Sequence, residues 1–214
     1  EAALREFLAL RVDEAILLSD RAFAGADTLA TSYTLSRAIA KIDATEPVHL
    51  VICGKQAIDG DTAQTGPGLA TWLGYTQLTY VSDITTVGDD TIRVKREVEG
   101  GCEIIEGKLP ALLTVELELT SPRYASLPEL VRALRQEVKV WGVKEIDAPP
   151  ERVGLKGSPT SVREIFAPPV RGGGSVFDTT EKKEQATKDF LEVFLKKEQP
   201  LMDEILSKDD HAQE

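Results

Sequence analysis

The segment at residues 49–73 limits the possible folds of this chain more than any other, because it predicts a buried strand, a polar loop and a helix in direct succession. Residues 49–53 form an apolar run of strand length, and Gly54 ends it. Residue 65 opens a stretch whose apolar side chains have helical spacing. In an open α/β sheet, this order places a ligand beyond the carboxyl end of the strand, where the next helix presents its N–H groups.

The same succession occurs earlier in the chain. Residues 15–18 predict a strand, residues 19–26 a loop, and Asp27 a cap for a helix that runs to about Ile42. Thr28 and Thr31 share one face of the first helical turn, near the positive end of the helix dipole. They are placed to meet phosphate, although a threonine at a helix start often bonds its own backbone instead.

The loop at residues 54–66 contains glycines at both ends and in its middle, and polar side chains between them. Glycine allows tight turns and close approach of the backbone to a ligand. The loop matches neither Walker A nor the G-x-G-x-x-G fingerprint of dinucleotide sites. From the residues alone, a solvated βα loop without a ligand is an equal alternative.

Later strands complete a mixed sheet. Residues 77–81 and 111–115 predict buried strands, and residues 91–97 alternate apolar and charged side chains as in an antiparallel hairpin. We therefore predict an α/β fold with a mostly parallel, doubly wound nucleotide-binding sheet, an antiparallel hairpin region and a C-terminal arm. The chain begins without Met, in a predicted helix.

Charge and cysteine content exclude several functions. The 36 acidic and 25 basic residues give a net charge of −11, which disfavours nucleic-acid binding and anionic membranes. The sequence has no apolar run long enough to span a bilayer and no signal peptide pattern, which predicts a cytoplasmic protein without membrane insertion. Cys53 and Cys102 predict two buried or half-buried thiols rather than a disulfide or metal site, and the sequence shows no catalytic triad.

Residues 54–66, G-K-Q-A-I-D-G-D-T-A-Q-T-G, resemble the nucleotide-binding signature of the electron transfer flavoprotein β subunit family. Residues 18–32, 108–115, 122–128 and 152–160 are similar to further family segments in the same order. The resemblance implies a cofactor site formed by both loops. It also implies that an N-terminal strand is missing from this sequence, because in the family a strand and a loop precede the helix with which this chain begins. Its expected residues are Ala24, Gly25, Ala26, Asp27, Thr28 and Thr31 from the first loop, and Cys53, Gly54, Lys55, Gln56, Ala57, Ile58, Asp59, Gly60, Asp61, Thr62, Ala63, Gln64 and Thr65 from the second.

The small residues of the first loop favour FAD over AMP as the cofactor. Ala22, Ala24, Gly25 and Ala26 permit close approach of a bulky ring system, and the loop resembles the family's FAD-binding, electron-bifurcating group. That resemblance implies that NADH donates electrons, which continue to the FAD of an electron transfer flavoprotein α subunit, to an acyl-CoA dehydrogenase, and to ferredoxin or flavodoxin. AMP as a structural nucleotide remains the alternative.

A capping box formed by Ser126 and Glu129 predicts the start of a helix that runs to about residue 136. This segment resembles the loop with which members of the family recognise their partner dehydrogenase. The resemblance implies that Tyr124, Leu127, Pro128 and Leu130 are docking residues. Internal packing of Leu127 is the alternative.

Composition divides the chain into three parts: an α/β domain at residues 1–146, an extended arm at 147–177, and a helical tail at 178–214. The family resemblance implies that the domain binds a nucleotide and that the arm extends toward the α subunit. Within the arm, residues 161–166 fit a strand. A competing function of another class is a stand-alone, ATP-binding regulator of the universal-stress type, which would use a similar sheet.

Overall fold

Among the residues that the structure describes, the strands pair into two separate sheets. The computed structural model describes residues 1–168, 174–177, 179–180, 183–197 and 199. In chain order its elements are α1 (Ala2–Ala9), β1 (Ala15–Leu18), α2 (Thr28–Asp43), β2 (Leu50–Gly54), α3 (Thr65–Leu73), β3 (Thr76–Val87), β4 (Thr91–Val98), β5 (Gly101–Lys108), β6 (Ala111–Val115), α4 (Leu127–Arg135), β7 (Val138–Trp141) and α5 (Lys183–Lys197).

The larger sheet has the strand order β2-β6-β3-β4-β5. Its first three strands run parallel, and β4 and β5 continue it as an antiparallel hairpin. The smaller sheet pairs β1 with β7 in parallel. The predicted α/β fold with a parallel region and an antiparallel side is confirmed.

Apolar packing places α3 against the parallel strands. Leu69 and Ala70 of α3 are buried against Leu112 of β6, and the aliphatic side of α2 joins the same cluster through Leu35 and Ile39. A second cluster lies between β3, β4 and β6 and includes the fully buried Leu113. The amino end of α3 lies near the carboxyl ends of β2 and β6, since a Cβ at Gly66 would lie 3.0 Å from Cys53 Sγ and 2.5 Å from Thr114 Cγ2.

Four details differ from the sequence-based expectations. β2 was expected to be buried, but Ile52 is 53% exposed because β2 lies at one end of its sheet. β7 was not predicted at all. Residues 161–166 form no strand and are exposed in the structure. Cys53 is half-buried as expected, whereas Cys102 at the start of the hairpin strand β5 is exposed.

The described chain separates into two compact units, Glu1–Glu164 and Ile165–Glu214. The first unit includes residues 147–164, which the composition assigned to the arm. The division into three functional parts remains a prediction. In the second unit, α5 lies within the predicted helical tail, and Phe190 packs on Phe177 and Phe194. The predicted features at residues 169–173, 178, 181–182, 198 and 200–214 lie outside the described residues.

None of the helices in the described part of the chain is long and apolar enough to cross a membrane.

Candidate functional site

A cleft opens where α2 and α3 begin side by side. The two helices approach closely because Gly68 has no side chain: a Cβ there would lie 2.8 Å from Ser32 Oγ. Thr28 Oγ1 donates a hydrogen bond to Gln64 Oε1 at 3.0 Å, which links the two predicted ligand loops directly. The structure thus brings the two strand-loop-helix segments to one place.

The cleft has a volume of about 780 Å³. Seven of the predicted cofactor residues line it: Ala26, Asp27, Thr28, Thr31, Thr62, Gln64 and Thr65. Five further lining residues were missed by the sequence reasoning: Leu29, Ser32, Gly68, Pro159 and Thr160. Leu29, Ser32 and Gly68 lie near the starts of α2 and α3, so helical spacing from the predicted residues could have identified them. Pro159 and Thr160 come from a segment more than ninety residues away from either loop, and no local sequence pattern indicates that they line the cleft.

The two helix starts differ in how their N–H groups are satisfied. Asp27 Oδ1 caps α2 by accepting hydrogen bonds from Leu29 N at 3.0 Å and Ala30 N at 3.1 Å, as predicted. At α3, Gln64 is the capping residue but makes no side-chain capping bond. Since the first N–H groups of a helix have no intrahelical partner, the start of α3 presents donors toward the cleft.

Asp27 remains ionised although it lies at the cleft. Burial alone would raise the pKa of its carboxyl, but hydrogen bonds from Ala30, Thr160 and Leu29 together hold that pKa below the ordinary value. The negative charge is therefore directed at protein donors rather than at the open volume of the cleft.

Most of the second loop lies outside the cleft. Lys55 Nζ pairs with Glu116 Oε2 at 2.8 Å and lies 5.6 Å from the centre of the Tyr80 ring, so it is engaged at the carboxyl end of β6. The hydrogen bond to Glu116 raises the pKa of Lys55. Gln56 donates to Asp61, and Ile58 is 99% exposed. The remaining predicted residues that do not line the cleft are Ala24, Gly25, Cys53, Gly54, Ala57, Asp59, Gly60 and Ala63.

Gly54 and Gly60 of the second loop do not have the role in tight turns that was predicted for them. Gly54 and Gly60 do not have a positive φ, and a Cβ at either would meet no atom within 4 Å, so neither is required for a tight turn. Instead, Asp61 and Ala63 take the left-handed conformation, with φ of 50° and 52°. Backbone strain of this kind concentrates at ligand and switch regions. Close approach of a ligand to the exposed loop remains a prediction.

Residues 150–160, here named the strap, cover the first loop. Gly154 has φ of 55°, and a Cβ on it would lie 2.0 Å from Ala22 O. Leu155 N donates to Ala24 O at 3.0 Å. A Cβ at Gly25 would also lie 3.3 Å from Leu155 Cβ. The small residues of the first loop are therefore explained by packing against the strap, which removes the steric argument for a bulky cofactor ring there.

A separate apolar face lies on α4. Tyr124 is 97% exposed and Leu127 is 73% exposed, so Leu127 does not pack internally. Pro128 and Leu130 are also exposed, which leaves all four predicted docking residues accessible. Leu134, which the sequence reasoning missed, extends this face by two helical turns from Leu127. Exposed apolar residues that lie together are typical of interaction surfaces, and docking through these four residues stays a prediction.

Charged groups hold α4 against α1. The Glu129 carboxylate accepts hydrogen bonds from Ser126 N at 2.7 Å, from Arg123 and from Arg11, which confirms the predicted capping box and ties it to the end of α1. The bonds from Ser126 and Arg123 lower the pKa of Glu129 from 4.5 to about 2. Arg5 of α1 donates to three carbonyl groups at the end of α4, those of Ala133, Leu134 and Gln136.

Comparison with known proteins is consistent with this geometry. The family model described as "Electron transfer flavoprotein domain" matches residues 1–146. The chain is 51% identical over 178 residues to Protein FixA of Azotobacter vinelandii, covering 80% of this chain and 62% of that one. It is 46% identical over 184 residues to the electron transfer flavoprotein subunit beta of Clostridium acetobutylicum, covering 86% and 69%.

A third relative is the caffeyl-CoA reductase-Etf complex subunit CarD of Acetobacterium woodii. The identity is 48% over 183 residues, which cover 86% of this chain and 68% of that protein. The chain thus spans about two thirds of the length of these curated relatives.

Proposed function

This chain belongs to the electron transfer flavoprotein β subunit family, and we propose that its cleft binds the adenylate part of FAD in a heterodimer with an α subunit. The protein contributes binding and orientation, whereas the redox chemistry belongs to the cofactor. Catalytic side chains are not part of this proposal.

The observation that carries the proposal is the uncapped start of α3 in the cleft. The first N–H groups of α3 have no side-chain cap, and position 67 is a proline that has no N–H to satisfy. A phosphate at this point would accept hydrogen bonds from Thr65 and Gly66 and interact favourably with the helix dipole. Thr28, Thr31 and Gln64 add polar side chains around the same volume.

Cleft size and similarity to CarD support FAD over AMP. FAD contains AMP as one half, so both fit the phosphate argument equally. Small-molecule sites typically have about 300–1,000 Å³, and the volume of about 780 Å³ lies in the upper part of that range. CarD is named as a subunit of a caffeyl-CoA reductase-Etf complex, so a relative of this chain belongs to a complex with a reductase.

FAD held at these helix starts would supply hydride acceptance from NADH and electron transfer toward ferredoxin or flavodoxin and, through the α-subunit FAD, toward an acyl-CoA dehydrogenase. This chain's part is to hold the nucleotide at the helix starts and to present the α4 face to a partner. We place this complex in the cytoplasm.

Nucleotide content tests the cofactor proposal. The full-length β subunit is purified with its α subunit, and the nucleotides released by denaturation are separated and quantified. Two FAD per heterodimer are expected. One FAD with one AMP would refute the FAD assignment, and one FAD alone would refute nucleotide binding by the cleft.

A bulky substitution locates the nucleotide. Thr31→Phe fills the cleft and should remove one nucleotide per heterodimer, because Thr31 lines that volume. Thr45→Phe introduces the same side chain at an exposed position just beyond α2 and should leave the nucleotide content unchanged. If the two variants contain the same amount of nucleotide, the cofactor does not bind in the cleft.

The face around Leu127 is proposed to dock the acyl-CoA dehydrogenase. Leu127→Ala should slow electron delivery to the dehydrogenase about tenfold, as expected when an interface anchor worth about 1.4 kcal/mol is truncated, while flavin content stays intact. Ile104→Ala is the control, because Ile104 is similarly exposed, at 69%, on β5. Equal delivery by wild type and Leu127→Ala would remove Leu127 from the docking surface.

Family membership and this exposed face both argue against a stand-alone regulator of the universal-stress type. A regulator would bind ATP as a monomer or homodimer without flavin. Co-purification with the α subunit distinguishes the two.

A further inference from the structure

The carboxylate of Asp27 is held by donors from two distant parts of the chain. Oδ1 accepts the two capping bonds from the first turn of α2. Oδ2 accepts from Thr160 Oγ1 at 3.0 Å and from Thr160 N at 3.3 Å. The backbone N–H of Asp27 donates to Ser158 Oγ at 2.8 Å. Asp27 therefore connects the start of α2 to the end of the strap.

The strap is fixed independently of Asp27, so Thr160 reaches the carboxylate from a defined position. Arg152 stacks over two aromatic rings, with its Cζ 4.2 Å from the centre of the Tyr33 ring and 4.9 Å from that of Trp72. Val153 is fully buried beside Tyr33. Ser158 Oγ also donates to Gly154 O at 2.7 Å. Pro159 and Thr160 then form one wall of the cleft.

A carboxylate at this position poses an electrostatic problem for a nucleotide site. Asp27 lines the same cleft as the uncapped start of α3, and like charges at short range repel. A phosphate could bind there only if the carboxylate charge is turned toward other donors. Leu29 N and Ala30 N satisfy one oxygen, so the other oxygen depends on Thr160.

We propose that Thr160 is a positioning residue of the nucleotide site that acts through Asp27. By donating to Oδ2, Thr160 holds the carboxylate toward the strap and keeps its charge away from the phosphate. The inference rests on the proposed nucleotide function and adds to it a determinant from outside the two loops. If this inference is correct, Thr160 strengthens the binding of a ligand that carries phosphate and does not affect the binding of one that carries none.

Binding measurements on the full-length heterodimer, with its β-site nucleotide removed, test this dependence. The probes are ADP and adenosine, and the variants are Thr160→Val and Thr160→Ser. Thr160→Val removes the hydroxyl donor at nearly constant side-chain volume. ADP should then bind about tenfold more weakly, because this is the usual effect of losing a hydrogen bond to a charged group. Adenosine should bind within about twofold of wild type, since it carries no phosphate. Thr160→Ser keeps the donor and should restore ADP binding.

A double variant gives a second, independent readout. Asn is as good a helix cap as Asp, so Asp27→Asn retains the start of α2 while removing the charge. Added to Thr160→Val, it should return ADP binding to within about twofold of wild type, because no carboxylate remains to be held away. Ser161→Ala, at the next exposed position, is the control and should not change binding.

The outcomes separate this inference from the proposed function. Wild type that binds neither probe and releases no adenine nucleotide would overturn the proposed function itself. Wild type that binds ADP, with Thr160→Val binding equally well, would overturn only the role of Thr160. Equal weakening of ADP and adenosine, or no recovery in the double variant, would show that Thr160 merely stabilises the strap and would also overturn the inference.

Discussion

Replacing Gly154 by alanine should release the strap, and the structure gives the expected size of the effect. At Gly154, φ is 55° and the added Cβ would lie 2.0 Å from Ala22 O. Carbon and oxygen normally stay about 3.3 Å apart, so the backbone must move by about 1.3 Å. The left-handed conformation costs about 1 kcal/mol for alanine, and relief of the overlap about 2 kcal/mol more. We expect Gly154→Ala to lower the free energy of unfolding by about 3 kcal/mol.

Two other glycines separate these contributions. Gly100 has φ of 84° with no atom within 4 Å of an added Cβ, so Gly100→Ala measures the conformational cost alone, about 1 kcal/mol. Gly101 has neither a positive φ nor a neighbour, so Gly101→Ala should change stability by less than about 0.5 kcal/mol. Urea denaturation of the full-length β subunit, followed by circular dichroism, gives the three values.

Limited trypsin digestion gives a local readout of the same change. Arg152 and Lys156 lie on either side of Gly154, and release of the strap should expose both peptide bonds in the alanine variant at protease concentrations that spare wild type. The reasoning is refuted if Gly154→Ala is no less stable than Gly100→Ala and is cut no faster than wild type. That result would mean that the strap does not lie against Ala22.

Three further predictions concern the core and the α4 face. Because the pKa of Glu129 is lowered from 4.5 to about 2, its ionised form stabilises the fold above about pH 4.5, and this contribution is lost as the pH falls toward 2. Glu129→Gln should therefore be less stable than wild type in urea near pH 6, with a smaller difference near pH 3. Gly66→Ala should cost about 1–3 kcal/mol in urea denaturation, because its Cβ would lie 2.5 Å from Thr114 Cγ2, and Thr114→Ser should recover most of this loss. Arg5→Met keeps the aliphatic stem but removes three bonds to carbonyl groups, and the melting temperature should fall by an amount equivalent to about 1–3 kcal/mol.

Local signals account for what the sequence predicted correctly. Asp27 caps α2 and Glu129 closes the capping box because a cap depends on residues two or three positions away. β1 and β6 have the predicted bounds because each is a short apolar run between turn residues.

Non-local contacts account for what was missed. β7 is only four residues long and is stabilised by pairing with β1, more than a hundred positions earlier. Lys55 was assigned to the cofactor from its place in the loop, but Glu116 at the end of another strand provides its ion pair. The strap shows the same limit: its glycines indicate a turn, but nothing near Gly154 in the sequence identifies Ala22 as its neighbour. Periodicity and capping rules contain no information on such pairs.

The cleft and the α4 face are each held in place by the hydrogen bonds of a carboxylate, so the stability of both should depend on pH. In each, a carboxylate joins a helix start to a distant segment: Asp27 bonds Thr160, and Glu129 bonds Arg11. Both carboxyl groups have lowered pKa values, so acid removes both links by protonation, whereas apolar burial of side chains such as Leu113 does not depend on pH. Acidification should therefore loosen these two surfaces before it disrupts the sheets. A nucleotide whose retention depends on the Asp27 link would be released from a protein that is still folded.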